Sequence, residues 1–228
     1  MASELMDWDS IYRGEGAFEG PPPWNLGEPQ PELAALIAAG KVGGEVLDAG
    51  CGVAELSLTL AAQGITVVGL DLSPTAVAAA TQAAQDRGLS TATFYQADIT
   101  SFDDYPPGSE GRFTTIVDST LFHSLPVEGR GGYLRSVHKA AASGASYYML
   151  VFAKGAFPPE GDGMPNPVDE EELRVAVGRY WTIDEVRPAF SHARMPTMAD
   201  SPEQPLPFDL DEQGRTKLPA FLLTAHKP

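Results

Sequence analysis

The stretch Val46-Leu47-Asp48-Ala49-Gly50-Cys51-Gly52-Val53-Ala54 joins an apolar run to an acid and two closely spaced glycines. Glycine at such a junction lets backbone approach a ligand that a Cβ would hold off. Asp48 stands two residues before Gly50, where a diphosphate would meet repulsion and a cation such as an ammonium would be welcome. The third glycine of a dinucleotide fingerprint is absent, with Ala54 and Glu55 in its place. Further acids close later apolar runs: Asp71 in Gly69-Leu70-Asp71, Asp98 in Gln96-Ala97-Asp98-Ile99, and Asp118 in Ile116-Val117-Asp118. An acid at the Asp71 position accepts both hydroxyls of a ribose. Asp98 has the polarity to accept an adenine amino group, with the Ile99 N–H meeting a ring nitrogen. His123 follows the fourth run by a few residues, and its ordinary pKa fits it to take a hydroxyl proton near neutrality.

Positioning four acids on one rim requires strands that end together. The pattern supplies them. Short apolar strands at 45–49, 65–70, 91–96, 113–117 and 145–152 alternate with helical segments at 53–63, from Ser73-Pro74 to Gly88, and at 129–142 with a stop at Gly144. A helix from Pro31 to Gly40 precedes them, and a helix at 169–179 and strands at 180–188 and 218–226 follow. Such alternation predicts an α/β fold with a mostly parallel sheet, whose ligand lies at the carboxyl ends of the strands. Residues 1–30 form an arm, irregular because of its Gly and Pro-Pro-Pro content, with 31–228 as one domain. Its aromatics, Trp8, Tyr12, Phe18 and Trp24, imply that it packs on something. Long Pro-rich loops at 153–168 and 194–217 read as site walls.

Composition excludes several classes. The 228 residues carry a formal charge of −16, which argues against nucleic acid as a partner. The single cysteine, Cys51, excludes an intrachain disulfide. No apolar run reaches the roughly 20 residues of a membrane span, and Met1–Ser10 lacks the order of a secretory signal. The expected compartment is the cytoplasm. No His, Asp and Glu spacing points to a metal.

The set Val46–Gly52, Asp71, Asp98 and 113–118 resembles, in order, the motifs of class I S-adenosylmethionine-dependent methyltransferases, with Ala54 as the departure. That resemblance implies a Rossmann-like seven-stranded sheet of order 3-2-1-4-5-7-6 with the last strand antiparallel. It also implies S-adenosylmethionine as cofactor and S-adenosylhomocysteine as product. The arm, through Tyr12-Arg13-Gly14, Pro23-Trp24 and 27–31, resembles the thiopurine and halide/thiol branch, where an arm Trp and Tyr close over the cofactor. Together with Asp118-Ser119-Thr120-Leu121-Phe122-His123-Ser124 it resembles mycobacterial heterocyclic toxin methyltransferases, detoxifying enzymes that act on 2-alkyl-4-quinolones and their N-hydroxy forms. Carried onto this chain, the resemblance gives cofactor contacts to Tyr12, Trp24, Asp48, Gly50, Cys51, Gly52, Asp71, Leu72, Asp98, Ile99 and Asp118. Leu72 would lie against the adenine. The acceptor would be a small aromatic heterocycle, methylated on oxygen or nitrogen, with His123 as base or as a shaper of the pocket.

Other readings stay open. A thiol, a phenol or a benzoquinone is an alternative acceptor. A nicotinamide-dependent oxidoreductase shares the fold, although Tyr133 lacks the lysine four residues on that such enzymes use, Val137 standing there. A cofactor-binding protein without chemistry is the non-enzymatic alternative. Met149, Met164, Met195 and Met198, with Phe152, Phe157, Trp181 and Phe208, are candidates for a greasy acceptor pocket or ordinary core. His138, His192 and His226 are read as structural. Oligomeric state is not legible.

Overall fold

In a computed structural model, the structure describes residues 7–15, 20–157, 165–195 and 208–228. Seven described strands form one sheet: β1 (Glu45–Ala49), β2 (Thr66–Asp71), β3 (Ala92–Gln96), β4 (Phe113–Ser119), β5 (Ala141–Phe152), β6 (Thr182–Ala193) and β7 (Thr216–His226). Their order is β3-β2-β1-β4-β5-β7-β6, as expected. The first five run parallel, and β7 is antiparallel to both neighbours. The chain leaves β1 toward β2 on one side and reaches β4 on the other. That reversal opens a crevice at the carboxyl ends of β1 and β4, where open α/β sheets bind ligands.

The helices are α1 (Trp8–Tyr12), α2 (Pro31–Ala38), α3 (Glu55–Ala62), α4 (Pro74–Asp86), α5 (Arg130–Ala140) and α6 (Glu170–Val177). Alternation along the parallel strands explains the two cores. Val46, Val67, Val117 and Leu150 point to one face and pack with Leu33 and Ile37 of α2 and Leu56 and Leu60 of α3. Leu47, Val68, Ile116 and Met149 point to the other and pack with Leu134 and Val137 of α5. Both faces are covered, so the strands read as near-continuous apolar runs.

Two local outcomes differ from the sequence reading. The helix expected through Ala142 ends at Ala140, and β5 begins at once, with Ala141 already extended at φ −71° and ψ 138°. Gly144 therefore does not stop a helix; with φ +73° it lies in β5, where the pairing with β4 shifts register. The arm holds a short helix, α1, because its prolines come after it and Asp7 caps it by accepting the Ser10 N–H. No described helix is long and apolar enough to cross a membrane.

Candidate active site

The glycine turn is built by backbone that only glycine adopts easily. Gly50 (φ +69°) and Gly52 (φ +54°) are both left-handed, and a Cβ on Gly52 would stand 2.6 Å from the Tyr12 hydroxyl oxygen. A Cβ on Gly50 would meet Leu121 at 2.8 Å. The Gly50 and Cys51 N–H groups both donate to the Leu70 carbonyl, which ties the turn to the end of β2. Asp71 continues that tie: one oxygen accepts the Gly52 N–H at 2.8 Å and the other accepts the Ser73 N–H at 2.9 Å. Ala54, at the site of the missing third glycine, is left-handed at φ +68° just before α3.

These residues line a cavity of about 470 Å³, within the range of small-molecule sites. Of the expected cofactor contacts, Tyr12, Trp24, Asp48, Gly50, Cys51, Gly52, Asp71, Leu72, Asp98 and Ile99 are brought to its wall, and so is His123. Asp48 is buried, accepts the Ser57 hydroxyl at 2.6 Å, and is pushed up to about 6 by burial. Burial also raises Asp71, against the pull of its backbone donors. Asp98 uses one oxygen on the Thr100 N–H and hydroxyl, at 2.9 and 2.7 Å. Leu72 presents an apolar side chain at 49% exposure. Burial drives the Cys51 thiol well above its ordinary range, which disfavours the thiolate.

Asp118 is placed differently from the other expected contacts. It is not in the cavity wall. Its carboxylate is spent on the chain that follows it, accepting the Leu121 N–H at 2.8 Å and the Tyr133 hydroxyl at 2.8 Å. Tyr133 in turn accepts from Tyr147 at 3.1 Å. Burial holds Asp118 up at about 7. Its work is to shape the turn 119–124 that carries His123 to the cavity.

The arm reaches the cavity through three aromatics. Trp8 and Trp24 meet edge-on, with centroids 6.0 Å apart at 71°. Tyr12 is hydrogen-bonded to the Trp24 side chain, and burial, with Asp71 nearby, raises its hydroxyl. Phe18 lies outside the described residues, as do Met164 and Met198. Of the other apolar candidates, Phe152 lines the cavity, Met149 and Trp181 belong to the core, and Phe157 and Phe208 pack on a satellite cluster. Met195 is exposed.

Sequence reasoning missed Gln30 and the ion-pair group behind it. The buried Gln30 amide accepts the His192 N–H at 2.8 Å and donates to the His192 carbonyl at 2.9 Å. His192 pairs with Asp211, Asp211 with Arg215, and Arg215 with Glu28. Glu28 and Gln30 line the cavity. Nothing local signals this group, since Glu28 and Arg215 are 187 residues apart. His226 pairs with Asp184, and His138 packs edge-on against Trp181, as structural histidines do.

The donor set has one polarity. Six acids line the cavity (Glu28, Asp48, Glu55, Asp71, Asp98 and Glu128), and among its described lining residues there is no Lys or Arg. A diphosphate does not fit such a wall; a sulfonium with an ammonium, ribose hydroxyls and an adenine edge does. Among the described residues no group of three or more His, Cys, Asp or Glu is placed to hold a metal.

Comparison with known proteins agrees. A family model described as a methyltransferase domain matches residues 46–144. The 2-heptyl-1-hydroxyquinolin-4(1H)-one methyltransferase of Mycobacteroides abscessus is 48% identical, with 100% of both chains covered. The chain is an S-adenosylmethionine-dependent methyltransferase. The methyltransferase superposes with a TM-score of 0.78, at 32% identity, on a structure titled for the conversion of a disulfide bond into a thioacetal group during echinomycin biosynthesis, covering 96% of this chain and 90% of that one. It shares its fold with magnesium protoporphyrin IX methyltransferase of Synechocystis PCC 6803 with bound S-adenosylmethionine, at TM-score 0.59 and 21% identity, over 86% of this chain and 76% of that one. S-adenosylmethionine is its cofactor.

Proposed function

We propose that this methyltransferase transfers the methyl group to the oxygen of a small hydroxylated heterocycle, such as a 2-alkyl-1-hydroxy-4-quinolone, and so masks a reactive hydroxyl. One observation carries the reading. The cavity that contains the glycine turn, Asp71 and Asp98 also contains an apolar wall of Leu121, Leu125, Pro126 and Phe152, with His123 set into it. A flat apolar acceptor with one polar atom suits that wall. The full-length likeness to a hydroxyquinolone methyltransferase supports the same acceptor class.

When bound, the cofactor supplies an electrophilic sulfonium methyl. The residues supply position and exclusion of water. In this reading Asp48 and the backbone of Gly50 and Gly52 hold the methionine end, and Asp71 holds the ribose. Leu72, Asp98 and Ile99 hold the adenine. Trp24 and Tyr12 cover the site, making residues 1–30 a lid on the domain 31–228.

The test is product mass spectrometry with isotopically labelled cofactor and a panel of 1-hydroxyquinolones, phenols, hydroquinones and thiols. The expected product is the methyl ether of the hydroxyquinolone. Labelled thioether as the main product, or no labelled product from the heterocycles, overturns the reading.

A further inference from the structure

His123 is held in one protonation pattern by its neighbours. Its Nδ1 accepts the Phe152 N–H at 3.0 Å. A backbone amide can only donate, so Nδ1 carries no proton, and the neutral ring carries its proton on Nε2. The ring also stacks on Phe152, with centroids 4.0 Å apart, and the Asn166 N–H donates to the His123 carbonyl at 2.7 Å. Turning the ring over would break the bond from the Phe152 N–H. Nε2–H has no partner among the described residues, and the ring lines the cavity. The site is therefore offered a donor, the polarity opposite to that of a base.

The surroundings keep it so. Arg130 of α5, whose guanidinium lies over Phe122 and donates to the Asn166 carbonyl, faces this corner and disfavours a second positive charge. Burial acts in the same direction and more strongly, holding His123 down to about 3. Asp118 behind the turn is consumed by Leu121 and Tyr133, Glu172 of α6 acts on Arg130, and Glu128 stands on the exposed rim.

We infer that the acceptor enters already ionised and that its oxyanion is bound by the Nε2–H of His123, a positioning donor that selects acidic hydroxyls over ordinary alcohols. This deepens the proposed function and rests on it. The acceptor loses its proton to solvent before binding; one O–CH₃ bond forms as the S–CH₃ bond breaks, the electron pair stays on sulfur, and no proton passes through the protein. An anion entering a cavity lined by acids meets repulsion, which the positive sulfonium offsets in a low-dielectric site. The oxyanion is thus accepted after the cationic donor.

The test reads the acceptor itself. 2-Heptyl-1-hydroxyquinolin-4(1H)-one is titrated into the protein saturated with a positively charged amine analogue of the donor that cannot transfer methyl. Absorption spectra over about pH 4 to 9 follow ionisation of the bound hydroxyl. The expected result is a bound ionisation midpoint at least about one unit below the free value, and binding about tenfold weaker with neutral S-adenosylhomocysteine in place of the analogue. His123→Gln, which places an amide donor near the Nε2 position, retains the lowered midpoint. His123→Asn, which keeps an acceptor for the Phe152 N–H but has no donor at that reach, restores the free value and weakens binding about tenfold or more. A bound acceptor that stays neutral in the wild-type site, or loss of the lowered midpoint in both variants alike, overturns the inference. Absence of any binding to the wild-type complex instead overturns the acceptor reading, and the inference with it.

Discussion

The Ser73 hydroxyl donates to the Asp9 carboxylate at 2.6 Å, across 64 residues of sequence. The same Asp9 oxygen accepts the Thr75 N–H at 3.0 Å, while Ser73 accepts the Ala76 N–H in its own right. Asp9 thus acts as a second cap on α4, delivered from the arm, at a helix end that favours negative charge. These bonds hold its carboxyl down at about 2. A lowered carboxyl contributes above its unfolded value near 4 and is lost as pH falls toward 2, so the fastening is intact throughout the neutral range. Replacing Asp9 with Ala is expected to free the arm without unfolding the domain. Calorimetry should then record donor affinity lower by roughly threefold to tenfold, with the melting temperature nearly unchanged and faster proteolysis near α1. Unchanged affinity would mean that the arm plays no part in holding the donor.

Gly52 connects the arm to the glycine turn. A methyl there would meet the Tyr12 hydroxyl oxygen at 2.6 Å, in a backbone conformation of φ +54° that alanine resists. Gly52→Ala should therefore displace Tyr12, break its bond with Trp24 and disturb the N–H that donates to Asp71. Donor affinity is expected to fall at least about tenfold. Fluorescence of Trp24 in a variant lacking the other tryptophans would report the displaced arm directly.

Asp48 is expected to make donor binding depend on pH. Burial raises its pKa to about 6, with the nearby Asp71 adding to the effect. The folded protein without ligand therefore holds this proton more tightly than the unfolded chain does. Its contribution to stability is complete below about pH 4 and is lost as pH rises through about 6. Asp118, raised to about 7, acts in the same direction. An ammonium placed beside Asp48 favours the ionised form, so donor affinity should increase from pH 5 to pH 8 while the unliganded protein becomes less stable. Asp48→Asn should flatten the affinity profile. Calorimetric titration at both pH values, for both proteins, decides the matter.

The rim of the sheet was legible because the buried strands β1 and β2 leave apolar runs that close at Asp48 and Asp71, while Asp98 follows the more exposed edge strand β3 by two residues. Side-chain direction was not. Asp118 ends its strand as the others do, yet it turns back to the Leu121 N–H and to Tyr133, fifteen residues onward. No pattern in the sequence marks that choice, because the deciding donors come from a turn and from a helix packed against it. His123 was legible as a polar residue just beyond β4, but its proton is placed by the Phe152 amide at the end of β5. The end of α5 was misread because Ala140 to Ala142 suit either state locally, and the pairing of β5 with β4 and β7 decides for strand.

Arg215 offers the sharpest test of how the arm is tied to the far edge of the sheet. Its guanidinium is nearly buried, with a side chain 7% exposed, and it bonds Asp211 at 2.6 Å and Glu28 of the arm. Asp211 also faces His192, whose backbone Gln30 clamps. Removing the arginine leaves Asp211, 13% exposed, without its main counterion, while Glu28, 49% exposed, finds water. The cost should therefore sit below the 3–5 kcal/mol of a fully buried broken pair, at about 2–3 kcal/mol. For a chain of this size that is a fall of roughly 5–10 °C in melting temperature. Because Glu28 and Gln30 line the cavity, Arg215→Met should also weaken donor binding, and saturating donor should recover part of the lost stability. Loss of stability with donor affinity intact would show that the network braces the β6–β7 hairpin alone.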